Sequence, residues 1–154
     1  MVDVIFDSNI YGIIIDKKEK GLELADKIAK DENFIIHNFI LIRKELRGAP
    51  KILPVYDRLV SKKIIQETKE IQRLADSYFK EYKNNKGVQG KKKIINDFKI
   101  VACATLGNFD LIASEDKRTM QNPRAIKAYK DINLKIGRRT PTFYTYNDLV
   151  KRYV

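Results

Sequence analysis

The chain opens on a short apolar run that ends at an acid. Residues 4–6 are Val, Ile and Phe, and they lead directly into Asp7, Ser8 and Asn9. Bulky apolar residues without polar alternation favour a strand that is covered on both faces of a parallel sheet. In such sheets ligands bind beyond the carboxyl ends of the strands. The opening therefore predicts a carboxylate at a ligand-binding edge, although Asp7 and Asn9 are also residue types that shape turns and cap helices.

The rest of the chain alternates between short apolar runs and amphipathic stretches. Further strands are expected at residues 34–36, 111–113 and 142–146, with a brief extended piece at 64–65. Helices are expected from a cap at Ser8 or Asn9 through 15, over 17–31, from His37-Asn38 to Gly48, over 51–60, 67–82 and 92–106, and after caps at Asn122 and Asn147. Strands that alternate with helices predict an α/β fold with a parallel sheet. We find no repeat or linker, so residues 1–154 are expected to form one domain.

The chain is strongly basic. Its 31 Lys and Arg residues against 20 Asp and Glu residues give a net charge of +11 and a sequence pI near 9.6. Basic residues concentrate in residues 80–93 and 117–154, and the second stretch holds ten of them against two acids. This distribution favours a polyanionic partner, the alternative being a solvated lysine-rich surface.

The sequence also bounds the compartment. One cysteine, Cys103, excludes an internal disulfide, and the chain shows neither an N-terminal signal pattern nor an apolar run of membrane-spanning length. We therefore expect a soluble cytoplasmic protein.

The predicted helix over residues 92–106 carries an acid in an unusual place. Ile94, Asp97, Val101 and Ala104 follow helical spacing, so Asp97 lies on a stripe that is otherwise apolar or small. An acid on such a stripe requires a partner. Together with acids from three other elements it forms the candidate set of Asp7, Glu45, Asp97 and Asp116.

These motifs resemble those of PIN-domain ribonucleases, a family best represented by VapC-type toxins. The matching segments are Val-Ile-Phe-Asp-Ser-Asn at 4–9, Arg-Lys-Glu-Leu at 43–46, Asn-Asp-Phe-Lys-Ile-Val-Ala-Cys-Ala at 96–104 and Leu-Ile-Ala-Ser-Glu-Asp at 111–116. The resemblance implies a three-layer α/β/α domain that hydrolyses RNA to 5′-phosphate and 3′-hydroxyl ends. It places Asp116 rather than Glu115 or Asp110 in the site. It also implies that Ser8, Asn9 and Ser114 orient the ligands or a water.

Converging carboxylates have a physical consequence. A pair at 4 Å repels by about 4 kcal/mol at an effective dielectric constant of 20, so the group either holds protons or binds a hard cation. Its all-oxygen ligands suit Mg²⁺ or Mn²⁺ rather than zinc. We therefore expect Asp7, Glu45, Asp97 and Asp116 to bind Mg²⁺ or Mn²⁺ and to cleave RNA with it.

Partners follow from the charge and from the resemblance. RNA is the expected polyanion, and the residues expected to bind it are Lys86, Lys91, Lys92, Lys93, Arg118, Arg138 and Arg139. The resemblance further implies a homodimer and an antitoxin protein, if the chain is a toxin rather than an RNA-maturation nuclease.

Two other functions stay open at this point. A basic RNA-binding module with a degenerate PIN fold would need no catalysis. A haloacid-dehalogenase-like phosphatase would share the acid at the end of the first strand, but that family has a second Asp where this chain has Asn9. The single histidine, His37, is expected to make an ordinary structural hydrogen bond.

Overall fold

A computed structural model describes residues 1–153, so Val154, the last residue of the expected domain, lies outside the described residues. The strands over this range are β1 (Val2–Phe6), β2 (Phe34–Phe39), β3 (Val60–Ile65), β4 (Leu111–Ala113) and β5 (Thr142–Tyr144). The helices are α1 (Ser8–Asp16), α2 (Glu19–Lys30), α3 (Ile40–Leu46), α4 (Leu53–Leu59), α5 (Lys69–Asn84), α6 (Lys91–Leu106), α7 (Pro123–Ile136) and α8 (Tyr146–Tyr153). None of these helices is both long enough and apolar enough to cross a membrane.

The five strands form one all-parallel sheet in the order β3-β2-β1-β4-β5. The opening strand therefore lies at its centre, with Val4, Ile5 and Phe6 fully buried. The α/β class and the parallel central sheet are confirmed. After β3 the chain returns to the other side of β1, so the direction of strand addition reverses between β1 and β4. The crevice at the carboxyl ends of two such strands is the usual ligand site in open α/β sheets.

Helices cover both faces of the sheet. The helices that connect β1, β2 and β3 lie on one face and those that connect β3, β4 and β5 lie on the other, because parallel crossovers are right-handed and the direction of addition reverses. The contacts between helices agree with this division: α1, α2, α3, α4 and α8 contact one another in pairs, whereas α5 contacts α6 and α7. The three-layer α/β/α arrangement is thus present, consistent with a PIN-like fold.

The second strand is longer than expected. It continues through His37 and Asn38 to Phe39, so the prediction that His37-Asn38 begins a helix is wrong. Buried Asn38 is tolerated in the strand because its Oδ1 accepts a hydrogen bond of 2.6 Å from the Tyr56 hydroxyl. The extended piece expected at 64–65 is likewise a full strand, β3, which pairs with β2.

The bounds of the last strand and the last helix also differ from expectation. β5 stops at Tyr144, and α8 begins at Tyr146, before the expected cap Asn147. The reason is a reciprocal cap, in which the Asp148 amide donates to Thr145 Oγ1 at 3.2 Å and the Thr145 amide donates to Asp148 Oδ2 at 2.8 Å.

Candidate metal centre

Asp7 lies at the carboxyl end of the central strand and is almost completely buried, with 5% of its surface exposed. Its Oδ1 accepts a hydrogen bond of 2.8 Å from the Ser8 amide, so Asp7 itself caps α1, rather than Ser8 or Asn9 as expected. Its Oδ2 accepts one of 2.8 Å from the Ser114 hydroxyl and one of 3.3 Å from the Asn9 amide group. These contacts fix the carboxylate at the junction of β1 and β4.

Three of the four expected acids converge at this junction. Asp7, Asp97 and Asp116 each offer a carboxylate oxygen within 4.8 Å of the others. Asp97 comes from the second turn of α6, and Asp116 follows the end of β4 by three residues. The register explains the convergence of β1 and β4, because Phe6 pairs with Ala113 and the two strands therefore end together.

A threonine that the sequence analysis did not single out joins two of these acids. The buried Thr119 hydroxyl contacts Oδ2 of both Asp97 and Asp116. Asp116 Oδ1 in turn accepts hydrogen bonds from the Arg118 and Thr119 amides at 3.1 and 3.0 Å. The three-residue interval between Asp116 and Thr119, typical of an acid that closes a turn onto following amides, is the signal that could have predicted this contact.

Glu45 is not part of the converging group. It lies in the last turn of α3 and is exposed, outside the set of mutually close carboxylates. It is nevertheless near enough for its charge to raise the pKa of Asp7. Its role as a fourth ligand stays a prediction.

The two competing acids make other contacts. Glu115 Oε1 accepts a hydrogen bond of 2.6 Å from the Tyr146 amide, at the first residue of α8. Asp110 lies before β4, at the opposite edge of the sheet, where it accepts the Asp3 amide at 2.9 Å and pairs with Arg139 at 3.0 Å. Neither acid belongs to the close group that Asp7, Asp97 and Asp116 form.

The electrostatics of the centre favour a cation. Burial raises the pKa of Asp7 to about 6, with the negative charges of Glu45 and Asp116 adding to the effect against hydrogen bonds from Ser114 and Ser8. Burial likewise raises the pKa of Asp97 to about 7, opposed by the Thr119 hydrogen bond and increased by the charges of Asp7 and Asp116. A divalent cation would compensate the charges that burial makes costly. Three carboxylates with no Cys or His among them fit Mg²⁺ or Mn²⁺.

The single histidine lies elsewhere. His37 Nε2 is 3.0 Å from Asp3 Oδ1, near the amino end of β1, and its ring stacks on Phe109 with centroids 4.1 Å apart. Asp3 is the second residue of β1 and Asp7 directly follows the last, so His37 bonds near the edge of the sheet opposite the carboxylates. This is the structural hydrogen bond expected of it.

Five of the seven basic residues expected to bind RNA lie toward the carboxyl edge of the sheet, where the acids meet. Lys91, Lys92 and Lys93 are exposed at the start of α6, which runs from the carboxyl edge of the sheet to the amino edge. The loop before it includes Lys86, whose carbonyl accepts a hydrogen bond of 2.6 Å from Arg124 in the first turn of α7. Arg118 follows Asp116 by two residues and is exposed.

The other two basic residues lie at the opposite edge. Arg138 and Arg139 follow the end of α7 and donate to the carbonyls of Leu106 and Asn108 at 3.5 and 2.9 Å. Leu106 and Asn108 precede β4, so this pair is separated from the carboxylates by the length of the strands. The structure gives no reason for Arg138 and Arg139 to act at the same site as the other five.

Comparisons with known proteins give a match at the level of fold alone. No protein-family model matches this sequence, and no curated protein matches it in sequence. Among solved structures, the chain is similar to one described as VapBC2 from Rickettsia felis bound to a DNA fragment from their promoter. The similarity has a TM-score of 0.56 at 12% sequence identity and covers 94% of this chain and 98% of that one. It agrees with the PIN-like fold and extends over nearly the whole chain.

Proposed function

We propose that this chain is a single-domain metal-dependent endoribonuclease that binds Mg²⁺ or Mn²⁺ through Asp7, Asp97 and Asp116. The observation that carries the proposal is the convergence of three carboxylate oxygens within 4.8 Å at the β1–β4 crevice. Similarity in fold to the VapBC2 structure adds support. Glu45 on α3 is proposed as a fourth ligand that approaches from the exposed side. The proposed reaction is hydrolysis of an RNA phosphodiester.

The residues around the acids have separate positioning roles in this proposal. Ser114 and the Ser8 amide hold the two oxygens of Asp7. Thr119 fixes the relative position of Asp97 and Asp116. The bound cation would supply a hydroxide from water and stabilise charge on the phosphodiester.

In this proposal the basic residues attract the RNA and the acids act on it once a cation is bound. Carboxylates repel RNA phosphates until a cation neutralises them, so attraction must come from other parts of the surface. Among the lysines at the start of α6, Lys93 is suited to this role because it precedes Asp97 by four residues and therefore lies on the same face of the helix.

The proposal predicts that cleavage depends entirely on metal. We expect RNA to be cleaved in Mg²⁺ or Mn²⁺ and to stay intact in EDTA, because the site contains no histidine that could serve a metal-free acid–base pair. His37→Ala should keep the cleavage activity, since that side chain bonds to Asp3 away from the acids. Gel analysis of an end-labelled RNA tests both statements. Cleavage in EDTA, or its loss in His37→Ala with the fold intact, would contradict the proposal.

A second prediction concerns the three lysines at the start of α6. Replacing Lys91, Lys92 and Lys93 together by Ala should weaken RNA binding and reduce the slope of log affinity against log salt by about 0.7 per lost phosphate contact. Turnover at saturating RNA should change little, because these side chains act equally on substrate and transition state. Binding titrations at several salt concentrations measure the slope.

The matched control for that variant removes the same charge elsewhere. Lys17 and Lys18 are exposed in the turn between α1 and α2, and Lys20 is exposed in the first turn of α2, on the other face of the sheet. Their triple replacement by Ala should leave the salt slope nearly unchanged. If both triple variants behave like the wild type, the α6 lysines are a solvated surface and the charge argument for RNA fails.

We also propose that the chain acts either as the toxin of a toxin–antitoxin pair or in RNA maturation, with RNA as its substrate, and that it forms a homodimer. The support for an antitoxin partner is similarity in fold to the VapBC2 structure. Co-purification with the product of an adjacent gene, together with inhibition of cleavage by that product, tests the toxin role. Cleavage that this product leaves unchanged would favour RNA maturation.

A further inference from the structure

A groove runs along the outer seam between α5 and α6. It consists of two adjoining clefts of about 460 and 380 Å³, and both are lined by Asp76 and Lys91. Lys91 and Asp76 form an ion pair of 3.0 Å at this shared boundary. Besides that pair, the side chains that matter in the two clefts are Phe79, Lys80, Lys83 and Asn84 in the first and Lys92, Ile95 and Lys99 in the second.

The groove carries a surplus of positive charge. Lys91 is paired with Asp76, and Lys99 is paired with Glu67 at 3.3 Å. Within residues 1–153, Lys80, Lys83 and Lys92 have no carboxylate within ion-pair distance. Three uncompensated ammonium groups along one seam favour an anionic occupant.

An aromatic ring forms part of the first cleft. Phe79 is half-buried, and the ammonium groups of Lys83 and Lys91 lie 5.8 and 5.9 Å from its ring centroid. Lys83 is also 5.9 Å from the ring of Tyr82. Exposed cation–π contacts are weak, so an occupant that offers both an anion and a flat ring can displace the lysines from the aromatic face.

We propose that this groove binds a single-stranded segment of RNA, with one base stacked on Phe79 and the adjacent phosphates on Lys80, Lys83 and Lys92. The proposal rests on the function proposed above and specifies the form of substrate that the site receives. An aromatic ring beside basic side chains is a common arrangement for binding single strands, whose bases are free to stack on protein rings. Paired bases in a duplex are already stacked, and an acidic peptide offers charge without a base to stack.

The position of the groove suits a segment that leads to the carboxylates. Lys91 precedes Asp97 by six residues, or about 9 Å along the axis of α6. The groove follows the face of α6 that carries Lys91, Ile95 and Lys99, whereas Lys93 and Asp97 share the opposite face. A strand held in the first cleft can pass the amino-terminal end of α6 at Lys91 and continue over Lys93 to the carboxyl edge of the sheet, where Asp7, Asp97 and Asp116 meet.

The test measures binding without cleavage. Fluorescence anisotropy in EDTA compares a labelled single-stranded RNA with a fully paired RNA duplex of the same length. Phe79→Leu, which keeps an apolar side chain but removes the ring, should weaken single-strand binding about 10-fold and duplex binding less than about 2-fold. Phe79→Tyr, which keeps the ring, should bind as the wild type does. Leu134→Ala, at an exposed apolar residue of α7, is the control and should change neither affinity.

Several results would contradict the proposal that this groove binds single-stranded RNA. Unchanged single-strand binding by Phe79→Leu would do so, as would an equal loss with the duplex, or tighter binding of poly-glutamate than of RNA. Thermal melts check that Phe79→Leu is folded, and Lys83→Ala provides a second variant with the same expected loss if it is not. The result is separable from the proposed nuclease. If the variants selectively lose single-strand binding but the wild type shows no metal-dependent cleavage, the groove binds RNA and the nuclease proposal is wrong. If the wild type cleaves RNA with metal but Phe79→Leu and Lys83→Ala bind single strands normally, the nuclease proposal stands and the groove proposal is wrong.

Discussion

Asp97→Asn is expected to reduce RNA cleavage at least about 100-fold and, in EDTA at pH 8, to raise the melting temperature of the protein. Cleavage falls because the substitution removes one of three carboxylates proposed to hold the cation. Stability rises because burial makes ionised Asp97 costly: its pKa is about 7 in the folded protein and about 3.9 in an unfolded chain. The expected gain at pH 8 is on the order of 2 kcal/mol.

This pair of effects separates a functional acid from a structural one. Loss of a side chain that served only as a cap or an ion-pair partner would lower stability instead. Thermal melts in EDTA and cleavage assays in Mg²⁺ on the same preparations measure both quantities. Glu32→Gln, at an exposed acid in the turn before β2, is the charge-matched control and should change neither. A lower melting temperature for Asp97→Asn at pH 8 would show that Asp97 is structural.

Asp7→Asn should abolish cleavage as well but gain less stability. Asp7 Oδ2 accepts hydrogen bonds from both the Ser114 hydroxyl and the Asn9 amide group. The new asparagine has two orientations. If its amide nitrogen replaces Oδ2, it faces the Asn9 donor, and if it replaces Oδ1, it faces the Ser8 amide, which is also a donor. An unmade hydrogen bond at a buried group costs about 1–3 kcal/mol, which offsets the relief of charge.

The second large effect is the dependence of metal binding and stability on pH. Asp7 and Asp97 have pKa values raised to about 6 and about 7. In the absence of metal their contribution to stability is fully present below about pH 4, the ordinary carboxyl pKa, and is lost as pH rises through 6 to 7. A cation requires the ionised carboxylates, so its binding follows the opposite trend.

Magnesium should therefore stabilise the protein at pH 8 and have little effect at pH 5. At a concentration one hundred times the dissociation constant, binding adds about 2.7 kcal/mol, which corresponds to about 8 °C in melting temperature for a domain of this size. Melts at the two pH values with and without Mg²⁺ give the comparison, and Asp97→Asn should lose most of the shift at pH 8. If Mg²⁺ raised the melting temperature equally at both pH values, or as much in Asp97→Asn as in the wild type, the cation would be bound elsewhere.

The elements nearest the site were predictable from local sequence. β1, β4 and α6 are confirmed because their apolar runs or helical stripes are long enough to determine both type and position. β2 was predicted too short, since a buried asparagine in a strand is acceptable only with a tertiary partner, and Tyr56 follows it by 18 residues.

The candidate site was only partly predictable for a similar reason. The ends of β1 and β4 bring Asp7 and Asp116 together, and an acid on an apolar stripe identifies Asp97. Thr119 acquires its role only through a loop that folds back on Asp116. Glu45 was predicted from the resemblance, and its exposure on the short helix α3 is a matter of packing that the sequence pattern does not determine.

The most direct test of the metal centre is anomalous diffraction from crystals of the protein grown with Mn²⁺. We expect a strong anomalous peak in the β1–β4 crevice, about 2.1 Å from carboxylate oxygens of Asp7 and of Asp97 or Asp116, and no such peak in crystals of Asp97→Asn. A crevice without a peak in the wild-type crystal at saturating Mn²⁺, or a peak bound only to other residues, would contradict the proposed metal centre.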